Sequence, residues 1–94
     1  MEFKITWNET KRQSNYFKHG LDFDHAHEVL SSRYCLNLPI QKMGDQRVIS
    51  FSYVLSYLCV LALVHNQRRD QIRLISFRKA SKEETITYFK WLEH

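Results

Sequence analysis

The sequence predicts an α+β fold, in which a small antiparallel β-sheet carries N-terminal helices and a C-terminal helix on one face. Three strand-like runs, residues 47–53, 57–65 and 71–78, follow one another with only short turns between them, and strands that are neighbours in sequence pair antiparallel. Helical patterns lie before and after these runs. The 94 residues, 44% of them hydrophobic, suffice for one modest core. We therefore expect a single domain spanning residues 1–94.

End signals define the first strand and the first helix. Alternation of polar and apolar residues over 2–6 predicts a short strand. Asn8 is a suitable N-cap for a helix from residue 9 to about residue 19. Gly20 then supplies the left-handed residue at which a helix ends.

The middle of the chain is less regular. Asp22 or Asp24 can cap a second, shorter helix that runs to about residue 30. Residues 33–38 predict a strand that Pro39 ends, and residues 39–46 predict a loop. The turns between the later strands are expected at residues 54–56 and 66–70.

The last helix has the clearest start. Ser81 and Glu84 match the capping box, in which each side chain accepts a hydrogen bond from the other residue's backbone. The helix is expected to continue to about Leu92. Its apolar residues Ile86, Phe89 and Leu92 predict the side that packs on the sheet.

Charge is unevenly distributed along the chain. Its formal net charge is +4, with four Lys or Arg against five Asp or Glu in residues 1–32 and ten against five in residues 33–94. A basic second half indicates an anionic partner such as nucleic acid or an acidic protein. A surface excess that only favours solubility explains the same numbers.

Composition also narrows the cellular setting. The first nine residues lack the basic and apolar regions of a signal peptide. The most apolar run, residues 55–64, is too short to cross a membrane as a helix, which needs about 20 residues. Cys35 and Cys59 have no paired spacing and predict free thiols. We expect a cytoplasmic protein that has no membrane contact.

Several kinds of catalytic site have no signature here. His25 and His27 lack the second histidine of a zinc H-E-x-x-H motif. The two glycines are isolated, so no phosphate-binding glycine loop exists, and no serine lies in a G-x-S-x-G turn. We expect neither a metal site nor a cofactor.

Two basic groups of residues remain. Lys11, Asn15 and Lys18 are spaced i, i+4 and i+7, which places them on one side of the first helix, where they face either phosphate oxygens or solvent. The second group should form a cationic track along the last strand and the helix start; its members are Arg68, Arg69, Arg73, Arg78, Lys79 and Lys82.

Such a track suits RNA cleavage without a metal ion. That reaction needs a base for the 2′-hydroxyl proton, an acid for the leaving oxygen and cations for the charged phosphate. Arg73 and Arg78 can stabilise the phosphate but cannot act as bases. Proton transfer would fall to Glu84, His65 or Tyr88.

Each of these residues also has a simpler interpretation. Glu84 can serve only the capping box, His65 can bond only to the backbone, and Tyr88 can belong to the core. Arg73 can pair with an acidic neighbour, either Asp70 or Glu83.

Two stretches resemble the signatures of the BrnT toxins. The first is Phe3-x-x-x-Trp7-Asn8-x-x-Lys11-x-x-x-Asn15-x-x-Lys18-His19-Gly20-x-x-Phe23-x-x-Ala26. The second is Ile72-Arg73-Leu74-Ile75-Ser76-Phe77-Arg78-Lys79-Ala80-Ser81-x-x-Glu84-x-x-x-Tyr88. Their order and separation also fit that family.

The resemblance implies a RelE-like fold and a metal-independent endoribonuclease that inhibits translation and growth. It implies neutralisation by a BrnA-like ribbon-helix-helix antitoxin, through which alone operator DNA would be bound. It also implies that Arg73, Arg78, Glu84 and Tyr88 belong to the active site. The RNA-binding residues would be Lys11, Lys18, His19 and Lys79, together with Arg68 or Arg69.

The chain departs from the family pattern at three places. Asn8 stands where the family usually has Asp, the turn at residues 54–56 lacks a Gly, and Phe77 replaces a small residue. Phe77 would add bulk beside the predicted site. The alternative function is accordingly a catalytically impaired homologue that binds an antitoxin or nucleic acid in operon autoregulation.

Overall fold

The computed structural model describes residues 4–42 and 44–94 and has an α+β architecture, as predicted. Its strands are β1 (Lys4–Thr6), β2 (Leu36–Lys42), β3 (Asp45–Val54), β4 (Cys59–Arg68) and β5 (Gln71–Lys79). Its helices are α1 (Glu9–His19), α2 (His27–Leu30) and α3 (Lys82–Leu92), and 3₁₀ turns cover Phe23–His25 and Leu55–Tyr57. Glu2 and Phe3, part of the predicted first strand, lie outside the described residues.

The strands form one sheet in the order β1-β5-β4-β3-β2. Strands β2 to β5 pair antiparallel, as expected, but β1 pairs parallel to β5. The sheet is therefore mixed. The parallel pair is possible because the rest of the chain, helices included, lies between β1 and β5, whereas a hairpin would force them antiparallel.

Both faces of the sheet carry helices, so the prediction that all helices share one face is wrong. One core cluster contains Leu61, Leu63 and Phe77 and is closed by Phe23 and Val29 from the segment after α1. The other contains Val60, Ala62 and Tyr88 and is covered by α3. The alternating residues of β4 supply both clusters because successive side chains point to opposite faces of a strand.

Helix α1 follows its predicted signals closely. The Asn8 side chain accepts a hydrogen bond from the backbone N–H of Lys11, and Gly20 takes a left-handed conformation with φ of 72°. Asp22, one of the two predicted caps, begins the 3₁₀ turn by accepting from the Asp24 N–H. Arg12 bonds to Asp22 and lowers the pKa of its carboxyl group.

The predicted boundaries fail around Pro39. Strand β2 runs from Leu36 to Lys42 and contains Pro39, while β3 already begins at Asp45. The predicted end at Pro39 and the loop at 39–46 are wrong because β2 is the outermost strand, where a missing N–H is tolerated.

The turns and the last helix show two smaller differences. The turn after β3 is the 3₁₀ turn Leu55–Tyr57 followed by Leu58 at φ of 55°, where a glycine would be expected. Helix α3 has its capping box, but its buried residue is Tyr88, whereas Ile86, Phe89 and Leu92 are exposed. No helix among the described residues is long and apolar enough to cross a membrane.

Candidate functional site

The sheet face that carries α3 consists of three rows of cross-strand neighbours, because directly paired residues share a face. The first row is Leu36, Phe51, Ala62 and Arg78, and the second is Leu38, Ile49, Val64 and Ser76. The third contains the pairs Ile40–Arg47 and Asn66–Arg73. Tyr88 of α3 covers the first row. The second and third rows lie beyond Tyr88, although Ile49 packs against the edge of this cluster, and we call these two rows the open face.

Arg78 lies where α3 meets the open face, and Glu84 fixes its guanidinium group. Arg78 Nη1 donates to Glu84 Oε1 at 2.7 Å and Nη2 donates to Oε2 at 3.0 Å. The Ser81 N–H also donates to Glu84 Oε1. These bonds lower the pKa of Glu84 to about 2, and the bond from Arg78 has the largest effect. Glu84 is therefore a permanent carboxylate at neutral pH and a weak proton acceptor, suited to orienting Arg78.

A β-bulge places Arg73 on the same face as Arg78. Residues five apart on a regular strand point to opposite faces, but the register shifts by one residue at Val64 and His65. The extra residue lies in β5 and turns Arg73 to the same face of the sheet as Arg78. Arg73 lies five positions from Arg78, roughly 15 Å along the strand. It pairs with Asn66, a buried residue whose Oδ1 has no partner within residues 4–42 and 44–94.

A basic surface also lies between α1 and the edge of β5. Strand β1 pairs only with Gln71–Arg73, so the remainder of β5 faces α1 instead of a strand. A groove of about 230 Å³, the α1 groove, is lined by Lys11, Ser14, Asn15, Lys18, His19, Ile75 and Ser76. Lys11, Asn15 and Lys18 thus share one side of α1, as their spacing predicted.

Asn15 holds α1 to the sheet and is unavailable to a ligand. Its Nδ2 donates to the carbonyl oxygens of Phe77 at 2.8 Å and Leu21 at 3.1 Å. The Phe77 N–H donates to Asn15 Oδ1 at 3.0 Å. Ser76, which precedes Phe77 in β5, lines the α1 groove and also belongs to the open face. The α1 groove and the open face therefore meet at Ser76.

Comparison with known families now adds to this geometry. The model of the family described as "Ribonuclease toxin, BrnT, of type II toxin-antitoxin system" matches residues 7–84. The chain belongs to the BrnT family. A search of curated proteins found no match to this sequence. As a BrnT toxin of a type II system, it has a protein antitoxin as its partner.

His65 does not lie on the same face of the sheet as Arg73 and Arg78. It pairs with Leu74 and therefore faces the opposite core cluster, away from the open face. Its Nε2 lies 2.7 Å from Ser50 Oγ, and its buried Nδ1 has no partner in the described part of the chain. Burial lowers the pKa of His65. The structure thus separates His65 from the arginines with which it was grouped.

Tyr88 lies on the same face of the sheet as Arg78, in a closed environment of the core. It is 1% exposed, and its hydroxyl donates to the Tyr34 carbonyl oxygen at 2.7 Å. This matches the core interpretation rather than a free acid or base.

The neighbours of Arg78 in the sequence point away from it. Phe77 and Lys79 pair with Leu63 and Leu61, which belong to the opposite core cluster. Phe77 is fully buried there, so the expected crowding of the site does not occur. Lys79 is exposed on that side, and Arg78 and Lys79 cannot face one phosphate together.

The remaining predicted residues lie apart from Arg78. Arg68 and Arg69 are exposed at the far end of the β4–β5 hairpin. Among the described residues, no three His, Cys, Asp or Glu side chains are grouped closely enough to hold a metal ion.

Sequence reasoning missed two polar members of the open face. Arg47 forms an ion pair with Asp45 at 2.9 Å, and Asn66 neighbours Arg73 across the strands. Their only signal is the strand register, which the bulge shifts and which the sequence did not reveal.

Proposed function

We propose that this BrnT protein cleaves RNA without a metal ion and thereby inhibits translation in the cytoplasm. The observation that carries the proposal is Arg78, which donates two hydrogen bonds to Glu84 at the border of the open face. A fixed guanidinium group stabilises a phosphate whose negative charge increases during the reaction. Arg73 lies on the same face and can bind an adjoining phosphate of the strand.

The α1 groove extends this site for RNA binding. Lys11 and Lys18 lie on the groove and can bind phosphate oxygens, and Ser76 connects the groove to the open face. His19 lines the same groove and is exposed. We assign its imidazole to RNA binding beside Lys18.

A direct test is RNA cleavage by the purified chain in EDTA. Cleavage should proceed, and Arg78→Ala should slow it at least 100-fold, because one preorganised donor to the reacting charge contributes on that order. Arg78→Lys should recover only part of the rate, since an ammonium group cannot donate as a fork. Lys90→Ala, in the last turn of α3, is the control and should retain the rate.

Two results would contradict this function. Cleavage that appears only when magnesium is added would refute metal independence. Equal cleavage by Arg78→Ala and the unaltered chain would refute the role of Arg78.

We further propose that the antitoxin is a BrnA-like ribbon-helix-helix protein. The support is membership of the BrnT family, whose systems pair a toxin with a protein antitoxin. Expression of the chain should arrest growth, and co-expression of a ribbon-helix-helix protein encoded beside it should restore growth. Failure of such a protein to form a complex with the chain would contradict this assignment.

A non-catalytic binding protein is the second candidate function. The observation that favours it is that two of the predicted proton-transfer groups near Arg78 are not free. Glu84 and Tyr88 are both engaged in hydrogen bonds. In that case expression would be harmless, whereas the complex with the antitoxin would still form.

A further inference from the structure

We propose that the groove beside α3 is a nucleobase pocket that selects bases carrying an exocyclic amino group. This inference rests on the proposed RNA cleavage. The pocket, which we call the α3 groove, has a volume of about 470 Å³ and lies between α3 and strands β2 and β3. Its lining residues are Leu38, Pro39, Ile40, Ile49, Phe51, Arg78, Glu83, Glu84 and Thr87.

The lower part of the groove is apolar. Leu38 and Ile40 are 38% and 36% exposed, although they lie on a strand of the sheet, and Ile49 lies beside them. Such a surface offers no partner to a phosphate, but it can cover the flat face of a base. A volume of this size is also in the range of small-molecule sites, about 300–1,000 Å³.

Two polar side chains of α3 border this apolar surface. Glu83 and Thr87 are four residues apart and therefore lie on the same side of the helix. Neither side chain makes a hydrogen bond within the described part of the chain. Glu84, the adjacent carboxylate, is already used by Arg78, so Glu83 is the free carboxylate among the described residues of the groove.

A free carboxylate distinguishes the bases by their donors. An ionised carboxylate only accepts hydrogen bonds. Adenine and cytosine present exocyclic amino groups that can donate to Glu83, as glutamate does with cytosine in nucleic-acid complexes. Uracil presents carbonyl oxygens at the corresponding positions. Its one donor on that edge, N3–H, lies between these two oxygens, which the carboxylate repels.

The position of Arg78 favours a nucleotide over a protein segment. Arg78 belongs to the α3 groove and is also the proposed phosphate ligand. A nucleotide whose phosphate binds Arg78 can therefore place its base in the same groove. A stable protein interface covers roughly 800 Å² on each partner, so a protein segment bound here would also have to cover surface outside the groove.

The test uses 2′-O-methyl RNA nonamers of A, C or U, which lack the hydroxyl needed for cleavage. Binding to the full chain is measured by fluorescence anisotropy. The unaltered chain should bind the A and C nonamers about tenfold more tightly than the U nonamer, the effect of one charge-assisted hydrogen bond. Glu83→Gln should reduce this ratio to about twofold, whereas Glu93→Gln, elsewhere at the end of α3, should keep it.

Contrary results separate the two proposals. Equal binding of all three nonamers, or an unchanged ratio in Glu83→Gln, would refute the base pocket while RNA binding stands. No binding of any nonamer would refute the pocket together with the proposed RNA site. If Glu83→Gln instead weakens only the complex with the co-expressed antitoxin, the groove is a protein-docking surface and the base assignment is wrong.

Discussion

At the residue scale, Glu84 serves two parts of the molecule at once. It completes the capping box with Ser81 and holds Arg78 through both carboxylate oxygens. The sequence presented these as alternatives, the cap or the active site. The structure shows that one carboxylate reaches both partners because the strand end and the helix start are adjacent. The helix thereby fixes the direction of the guanidinium group.

The Glu84–Arg78 pair makes stability depend on pH. The folded-state pKa of Glu84 is about 2, below its ordinary value of 4.5. A lowered pKa stabilises the folded state above pH 4.5, and this contribution is lost as the pH falls towards 2. The pair is partly exposed, so solvent screening leaves about 1–2 kcal/mol at neutral pH.

Glu84→Gln should therefore lower the free energy of unfolding by about 1–2 kcal/mol at pH 7 and by much less at pH 2. Urea unfolding at both pH values measures this difference. Glu93→Gln, in which an exposed carboxylate is lost, is the control. An equal loss for Glu84→Gln at both pH values would show that the ion pair is not its cause.

Tyr88 allows a structural and a catalytic hydroxyl to be distinguished. Tyr88→Phe removes the hydrogen bond to the Tyr34 carbonyl but keeps the ring in the core. We expect a loss of about 1 kcal/mol in the free energy of unfolding and a cleavage rate within about twofold of the unaltered chain. A normal stability with a rate at least 100-fold lower would instead assign Tyr88 to proton transfer.

At the element scale, α1 takes the place of a strand beside β5. The amide of Asn15 bonds to both the N–H and the carbonyl oxygen of Phe77, much as a paired strand residue does. Asn15 also fixes the position of Lys11 and Lys18, which line the same groove. The packing of this helix and the basic groove thus depend on one side chain.

Asn15→Asp tests this arrangement with nearly the same shape. The carboxylate can accept from the Phe77 N–H but cannot donate to the carbonyl oxygens, which become unsatisfied. We expect a loss of about 2–3 kcal/mol in the free energy of unfolding at neutral pH. Ser14→Ala, a neighbouring change on exposed α1 surface, should cost little. Equal unfolding midpoints for the two variants in urea would refute the role of Asn15.

The sequence predicted elements well where their ends carry local chemistry. Asn8 with Gly20, and Ser81 with Glu84, gave the limits of α1 and α3 because a cap acts within a few residues. The prediction for the β2 region failed because a proline ends a strand only where an N–H at its position would have to donate to a neighbouring strand. Whether it does so depends on the strand order, which no local pattern contains.

The packing side of α3 failed for a related reason. Ile86, Phe89 and Leu92 form the more obvious apolar pattern, yet Tyr88 is the residue that the sheet buries. The orientation of α3 is set by the Glu84–Arg78 bonds and by the Tyr88 hydroxyl, both of which are tertiary contacts.

At the scale of the whole molecule, basic side chains from distant parts of the chain form one path. The path comprises Lys11, Lys18 and His19 from α1, and Arg73 and Arg78 from β5, with Ser76 between the two groups. The sequence predicted these residues as two separate groups, one on α1 and one on β5. It did not predict that the two groups lie side by side, because their proximity depends on the short β1 and on the bulge.

This path predicts a defined dependence of RNA binding on salt. Each phosphate contact removed from a single strand should reduce the slope of log K against log salt by about 0.7. Lys11→Gln combined with Lys18→Gln should therefore reduce the slope by about 1.4, in titrations of a 2′-O-methyl RNA nonamer at several salt concentrations. Lys82→Gln combined with Lys90→Gln, on α3, is the matched control. A similar change in both double variants would indicate only a general effect of net charge.

The bonds from Asn15 to the edge of β5 also limit how other chains can associate with this sheet. An exposed strand edge invites a foreign segment to extend the sheet, which leads to domain exchange or fibrils. Beside the second half of β5 an incoming segment would first have to displace Asn15 and, with it, α1. At the opposite margin, β2 carries Pro39, which removes one donor from any such extension. Self-assembly by edge pairing is therefore disfavoured along β2 and along the second half of β5, where a partner that recognises the native fold has to bind side chains instead of a strand edge.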